Sequence, residues 1–243
     1  MSSPKPRLRV ATYNVHDCIG RDRRYDPERI VRILLQLNVD LVALQEVTLD
    51  TTGELLDLLQ RKTGMQAIDG SLFERGVGRY GNLLLTRLPV LQTRLHDLSR
   101  PGREARGSIE ALVDSELGLI TVFATHLGLR RRERTWQIAA LARALAQGER
   151  SALLMGDLNL WRGGMLAPLT RQGFAQRPVP SFPTWPTPIG ALDRIMARTP
   201  LHIRHCWRHT GMDTRIASDH FPVIAEISMR PDGTEPSVQH HSR

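Results

Sequence analysis

Eight polar side chains occupy one recurring position in this sequence, where a short apolar run meets a loop. They comprise four carboxylates, two amides and two imidazoles: Asn14, Glu46, His126, Asp157, Asn159, Asp193, Asp219 and His220. Taken singly, each is explained as a turn residue or as a hydrogen-bonded core histidine. Together they favour a site at one edge of a rigid sheet, where strand ends hold functional groups in place.

The residue types favour a hard divalent cation. Carboxylate and amide oxygens suit Mg²⁺ or Mn²⁺, and the set contains no thiolate. Because Mg²⁺ keeps several waters, Glu46 with one or two of the aspartates is sufficient. Asp157 and Asn159 stand two apart on an extended stretch, so their side chains can face the same way. One can activate a water while the other donates an N–H to a phosphate oxygen.

Asp219 and His220 place a carboxylate and an imidazole next to each other, just before the apolar run that begins at Phe221. Asp193 is placed to orient the imidazole of His220 and to stabilise its charged form. This is the carboxylate–histidine arrangement of acid–base sites.

Apolar runs predict seven strands, over residues 8–13, 41–45, 83–85, 109–113, 120–125, 152–155 and 223–227. Three helical patterns lie between them. One starts at Pro27 behind the capping residue Asp26, one covers 54–60 ahead of Gly64, and one covers 131–146. Several strands follow one another directly, which favours a layered α+β domain over a simple alternating βα fold.

The chain has 243 residues and a net charge of +8, so we expect one large domain with a surface that attracts anions. Lys5 and Lys62 are its only lysines. The arginine excess indicates either a coding bias or phosphate recognition by guanidinium groups.

Cys18 and Cys206 form neither a disulfide framework nor a zinc-ligand spacing. With no signal-peptide pattern and no membrane-spanning run, we expect a cytoplasmic protein with no obligate protein partner. The polar segment 229–243 is expected to be a disordered tail.

Seven short motifs carry a resemblance to the endonuclease/exonuclease/phosphatase superfamily, in the order that family shows. They are Thr12-Tyr13-Asn14-Val15-His16, Leu44-Gln45-Glu46-Val47, the asparagine-led strand from Gly81-Asn82 to Arg87, Thr125-His126-Leu127, Gly156-Asp157-Leu158-Asn159, Leu192-Asp193-Arg194-Ile195 and Ser218-Asp219-His220. The resemblance runs through the domain expected at 7–228. Compact bacterial members are the most similar.

The resemblance implies a DNase I-like four-layer α/β-sandwich, with two packed mixed β-sheets flanked by helices. It also implies roles for the polar set. Glu46, helped by Asn14 and Asp219, would hold Mg²⁺ or Mn²⁺. Asp157, Asn159, His126 and the His220–Asp193 pair would form the catalytic set, with the general base either Asp157 or His220. Arg106 and Asn82 would contact substrate phosphate.

Three functions are compatible with these motifs. The first is a metal-dependent, nuclease-type phosphodiesterase. The second acts on a phospholipid head group or a small phosphomonoester. The third is a binding module that keeps the fold without catalysis. The arginines at 130, 131, 132 and 134 open the third helix, where the helix dipole disfavours cations. They are either solvated bystanders or a patch that attracts a polyanionic substrate or surface.

Overall fold

Two six-stranded sheets form the centre of the molecule, in a computed structural model that describes residues 6–76, 78–161 and 163–230. The first sheet contains, in spatial order, β11 (Leu201–Arg208), β12 (Val223–Met229), β1 (Leu8–Asn14), β2 (Leu41–Asp50), β4 (Gly78–Thr86) and β3 (Gln66–Arg75). The second contains β5 (Val90–Asp97), β6 (Gly107–Ser115), β7 (Gly118–His126), β8 (Ala152–Asp157), β10 (Asp193–Arg198) and β9 (Phe174–Gln176). Each sheet is mixed, because β1–β2 and β7–β8 are parallel and the other pairs are antiparallel.

Helices cover the outer face of each sheet. Against the first sheet lie α1 (Pro27–Leu37) and α2 (Glu54–Thr63), and against the second lie α3 (Arg131–Leu145) and α4 (Ala167–Thr170). The short helix α5 (Met212–Ala217) packs beside α1. The layer order is therefore helix, sheet, sheet, helix. The predicted α+β four-layer sandwich is confirmed.

Both faces of the central strands are buried. In β1, Ala11 and Tyr13 pack against the helices, whereas Leu8 and Val10 pack against the other sheet. A strand with two buried faces has a continuous apolar sequence instead of an alternating one. This burial explains why the interior strands stand out in the sequence.

The predicted helix boundaries agree with the structure to within a few residues. The Asp26 carboxylate accepts the N–H of Arg29 at 2.9 Å, and Pro27 is the first helical residue of α1. Helix α2 runs on to Thr63 and ends at Gly64, whose φ of 66° is the left-handed geometry that favours glycine. Helix α3 ends one residue before the predicted position.

The last strand extends slightly beyond the C-terminal boundary predicted for the domain. Met229 still belongs to β12, one residue past the expected boundary at 228. The rest of the predicted tail, from residue 231 onward, lies outside the described residues. Within the described part, no helix combines the length and apolar character needed to cross a bilayer.

Candidate active site

Strand register in the second sheet aligns three of the predicted site residues. His126, the last residue of β7, pairs with Asp157, the last residue of the parallel strand β8. Asp157 also pairs with Asp193, the first residue of the antiparallel strand β10. The three side chains therefore stand in a row across one end of the sheet.

The first sheet contributes Asn14 and Glu46 at the same end. Asn14 ends β1, beside Gln45 of β2. The pairing of β2 with β4 slips between Leu44 and Val47, and Glu46 within this bulge has a φ of 56°. A bulge re-aims side chains, and a positive φ at a residue such as glutamate is uncommon and tends to occur at functional sites. The bulge thus directs the Glu46 carboxylate towards the second sheet.

Asn14 connects the two sheets through one amide group. Its Nδ2 donates to Glu46 Oε1 at 2.9 Å and to Asp157 Oδ2 at 3.3 Å. Two carboxylates that share one donor lie close together, and their repulsion is relieved when a cation binds between them. Asn14 therefore marks the point where the two halves of the site meet.

Asp157 lies at the centre of the site. Its Oδ1 accepts the N–H of Asn159 at 2.9 Å. Its Oδ2 is 3.5 Å from His126 Nε2 and 3.8 Å from His220 Nε2. One oxygen is therefore held by the backbone, whereas the other faces the cleft among two imidazoles and the Asn14 amide.

His220 is held as a cation. Burial opposes its charge, but the adjacent Asp193 carboxylate outweighs that effect and raises the pKa of His220 to about 10. The Nδ1–H donates to Asp193 Oδ2 at 2.8 Å, and the Phe182 ring packs 4.8 Å from the imidazole. Ser181 Oγ donates to the same Asp193 oxygen at 2.5 Å. The imidazolium therefore presents Nε2–H to the cleft beside Asp157.

His126 is held in the opposite state. Burial lowers its pKa to about 3, so the imidazole is neutral at pH 7. Asn159 Nδ2 donates to Leu127 O at 2.8 Å and lies 3.2 Å from His126 Nε2. Because Nε2 faces a donor, we assign the proton of this ring to Nδ1. Asn159 reaches this position with a φ of 52°, a second strained backbone conformation at the site.

The donor set fits a divalent cation at Glu46. Burial raises the pKa of Glu46, the Asn14 hydrogen bond opposes the shift, and the charge of Asp157 adds to it. Ligand atoms of Asp157, Asp193 and His220 also lie within 4.8 Å of one another. However, His220 Nδ1 and Asp193 are already bonded to each other at 2.8 Å. The Glu46 carboxylate, with the Asn14 amide beside it, is therefore the better candidate to hold the ion.

Asp219 stands next to this group in the loop before β12. Ser218 Oγ lies 3.4 Å from Asp219 Oδ1 and donates to Asn14 O at 2.7 Å. The loop that carries Asp219 is thus pinned to the end of β1. The described contacts do not bring the Asp219 carboxylate to Glu46.

Five of the eight residues line a cleft of about 460 Å³: Glu46, His126, Asp157, Asn159 and His220. Arg106 lines it, is buried, and pairs through Nη1 with Glu104 Oε1 at 2.5 Å. Its Nε has no hydrogen-bond partner among the described residues. Asn82 does not line the cleft. Its Nδ2 instead donates to Gly107 O at 3.1 Å. Asn82 therefore fixes the backbone next to Arg106.

Several lining residues carry no motif that sequence reasoning could use. They are Arg75, Tyr80, Glu104, Leu129 and Phe182. Arg75 lies on the edge strand β3, stacks 4.6 Å from the Tyr80 ring and pairs with Asp17 at 3.0 Å. Trp161, two residues after Asn159 in the sequence, also lines the cleft.

A two-sheet sandwich with carboxylates and imidazoles at the strand ends defines a protein of the DNase I-like class. The model of the Endonuclease/Exonuclease/phosphatase family matches residues 11–220. The chain therefore belongs to this family, whose members are generally hydrolases that act on phosphoesters. The resemblance found in the sequence is confirmed.

The similar proteins include an uncharacterized protein and enzymes that act on different substrates. The uncharacterized protein YbhP of Escherichia coli K12 is 36% identical over 172 residues, which cover 63% of this chain and 64% of YbhP. An endonuclease/exonuclease/phosphatase from Beutenbergia cavernae superposes with a TM-score of 0.76 at 22% identity, covering 93% of this chain and 72% of its own. D. rerio TDP2 complexed with a single-strand DNA product superposes with a TM-score of 0.72 at 18% identity, covering 92% and 99%. The mannosyl-6-phosphatase Bt3783 of Bacteroides thetaiotaomicron superposes with a TM-score of 0.71 at 17% identity, covering 91% and 100%.

Proposed function

We propose that this chain hydrolyses phosphodiester bonds by attack of water, with Mg²⁺ or Mn²⁺ held by Glu46 together with Asn14 and Asp219. The observation that carries the proposal is the position of Asp157. Its free oxygen lies between the Asn14 amide, which also binds Glu46, and the His220 imidazolium. The cation would neutralise charge on a phosphoryl oxygen as Lewis-acid catalysis requires.

The protonation state of His220 decides the roles proposed for His220 and for Asp157. A general base must be unprotonated at working pH, and His220 is protonated up to about pH 10. Asp157 is therefore proposed to accept the proton of the attacking water. His220 is proposed to donate a hydrogen bond to the phosphoryl oxygens as negative charge builds on them.

The remaining side chains position the phosphate group. Arg106 is proposed to hold a phosphoryl oxygen, because its guanidinium group lines the cleft and charge-assisted pairs with phosphate are strong. His126 is neutral and held by Asn159, which suits it to contact the substrate without adding charge. Asn82 is proposed to act through Gly107 on the position of Arg106.

Two substrate classes fit this reaction. A single-stranded nucleic acid is supported by the exposed indole of Trp161, which offers a stacking surface at the cleft. A phospholipid is supported by the aliphatic side chain of Leu129, which is 70% exposed on the same cleft. An aliphatic group cannot stack on a base, but it can enter the acyl region of a bilayer.

Hydrolysis of bis-p-nitrophenyl phosphate with and without added Mg²⁺ tests the reaction. We expect turnover that EDTA abolishes and that Mg²⁺ or Mn²⁺ restores. A panel of single-stranded DNA, RNA, phosphatidylglycerol and cardiolipin then identifies the substrate class. No hydrolysis of any of these compounds with either ion would contradict the proposed phosphodiesterase activity.

A further inference from the structure

Three large apolar side chains stand exposed along one side of the cleft. Leu129 is 70% exposed, Trp161 is 57% exposed and Ile189 is 73% exposed. Leu129 and Trp161 line the cleft itself. A Cβ atom added at Gly190 would lie 3.1 Å from the Trp161 ring, so the loop that carries Ile189 packs against the indole. Leu129 and Trp161 thus share the cleft, and the loop that carries Ile189 adjoins Trp161; these three exposed side chains are called the apolar edge below.

Backbone hydrogen bonds hold the loop that carries Ile189 in place. The N–H groups of Ile189 and Gly190 donate to Phe182 O at 2.9 and 2.7 Å. The N–H of Thr184 donates to Asp219 O at 2.9 Å, which ties the loop to the site. The exposure of Ile189 is thus a feature of an ordered loop, and its apolar side chain is presented outward.

Three exposed arginines lie directly beside this edge. Arg130, Arg131 and Arg132 occupy the start of α3, and Arg131 lines a cavity of about 490 Å³ together with Trp161. In the described part of the chain, their guanidinium groups have no ion-pair partner within 4.0 Å. The helix dipole disfavours positive charge at this end, so helix stability does not explain them.

We propose that this rim, made of Leu129, Trp161, Ile189, Arg130, Arg131 and Arg132, docks on the surface of an anionic phospholipid bilayer. Apolar side chains that enter the boundary between head groups and acyl chains, flanked by basic residues, are the features that bind such a surface. The aliphatic members favour a bilayer over a nucleic acid, which would use aromatic platforms and phosphate contacts. The idea that docking brings head-group phosphodiesters to the cleft rests on the proposed function. The docking of the rim on a bilayer does not depend on it.

Sedimentation with vesicles of phosphatidylcholine, alone or mixed with phosphatidylglycerol, tests the proposal. The wild-type chain is expected to bind the mixed vesicles more tightly than the neutral ones and to be released by salt. Replacing Arg130, Arg131 and Arg132 by Gln should weaken binding by roughly fivefold per arginine. Ile189→Ser should also weaken binding but leave the salt dependence unchanged, because it removes apolar area and no charge.

A matched variant separates this surface from the overall charge of the chain. Arg61, Arg143 and Arg171 are exposed and lie outside the cleft lining, so replacing them by Gln removes the same charge elsewhere. This control should bind the mixed vesicles at least tenfold more tightly than the rim triple variant, in keeping with roughly fivefold per arginine. Equal binding by the two triple variants would overturn the proposal, as would absence of wild-type binding to the mixed vesicles.

Two further measurements complete the test: binding of single-stranded DNA and turnover of bis-p-nitrophenyl phosphate. If the rim triple variant loses affinity for single-stranded DNA but not for mixed vesicles, the rim is a nucleic-acid surface and the proposal is wrong. Turnover of bis-p-nitrophenyl phosphate should be unchanged in the rim triple variant, because the small diester does not reach these arginines. Vesicle binding needs no catalysis, so a failure of the proposed hydrolysis is seen separately in the activity assay.

Discussion

The Nδ1 atom of His220 lies 2.8 Å from Oδ2 of Asp193, a carboxylate buried at the start of β10. This contact determines the charge of the site, because it keeps His220 protonated against the effect of burial. Asp193 of β10 pairs in register with Asp157 of β8, so two neighbouring strands place one carboxylate at Nδ1 of the imidazole and the other near Nε2.

Asp193→Asn should move the alkaline limb of the pH–rate profile towards neutrality. In the wild type, a step that requires protonated His220 is lost only as pH rises through about 10. Without the Asp193 carboxylate, only the charges of Asp157 and Asp219 oppose the effect of burial, so the pKa of His220 should fall. The measurement is kcat/KM for bis-p-nitrophenyl phosphate against pH, with the exposed Asp114→Asn as control. An alkaline limb that stays in place in Asp193→Asn would remove His220 from the proposed role.

Glu46→Gln should abolish stabilisation by Mg²⁺. The pKa of Glu46 is higher in the folded chain than in the unfolded chain. The protonated side chain therefore contributes to stability below the unfolded-state pKa, and this contribution is lost as the pH rises through the folded-state pKa. Cation binding to the ionised carboxylate reverses that loss and raises Tm. We expect a Mg²⁺-dependent rise in Tm for the wild type and for the control Glu149→Gln, but not for Glu46→Gln. A full rise in Glu46→Gln would contradict the ligand assignment.

Asp157→Asn should lower kcat by about 10²–10⁴-fold, the usual contribution of a general base, with little change in KM. The amide keeps the shape of the side chain but cannot accept a proton from water. The variant should also keep or gain thermal stability without cation, because it removes one of two neighbouring carboxylates. Steady-state kinetics and a melting curve check both points. A change in KM alone would assign Asp157 to substrate binding.

Asp50→Ala should destabilise the fold by about 1 kcal/mol, the usual cost of a lost helix cap. The Asp50 carboxylate accepts the first N–H groups of α2, from Glu54 at 3.0 Å and Leu55 at 2.9 Å. The side-chain hydrogen bond from Thr52 and these backbone bonds hold the pKa of Asp50 below its usual range. The ionised Asp50 carboxylate therefore stabilises the fold above its unfolded-state pKa. This stabilisation is lost as the pH falls through the lower folded-state pKa.

Urea unfolding at neutral and acidic pH measures that difference. The gap in unfolding free energy between the wild type and Asp50→Ala should be widest near neutral pH and should narrow in acid. Asp57→Ala, which removes an exposed acid from the same helix, should cost less at both pH values. A gap that does not depend on pH would show that the charge of Asp50 is not involved.

Gly156→Ala should destabilise the chain by about 1–3 kcal/mol or more, as overpacking does in a well-packed core. Gly156 has a φ of 148°, and a Cβ atom there would lie 1.8 Å from Thr125 O in the neighbouring strand. The substitution would push β7 away from β8, directly beside His126 and Asp157. Gly164→Ala, where a Cβ meets nothing within 4 Å, is the control. Equal melting temperatures for the two variants would contradict this close approach.

Sequence reasoning found the strands whose two faces are both covered and missed those at the edges. All seven predicted strands are interior, whereas β3, β5, β9 and β11 are the four edges of the two sheets. An edge strand such as β5 keeps most of its side chains in solvent and so lacks an apolar run. The interior strand β10 was also missed, because the charged Arg194 and Arg198 interrupt it. Both are buried, and they donate to Leu160 O at 3.1 Å and to Leu145 O at 2.7 Å.

The sequence by itself predicted which residues could do chemistry, because most of the site motifs lie at or near the ends of strands that have an apolar signature of their own. It could not determine what each residue does there. His126 and His220 are the same residue type at similar strand ends, yet the pKa of one is lowered to about 3 and that of the other is raised to about 10. Only the tertiary structure decided this difference, because the fold brings Asp193 of β10 against His220 Nδ1 in the loop before β12, whereas His126 is buried with the Asn159 amide at its ring.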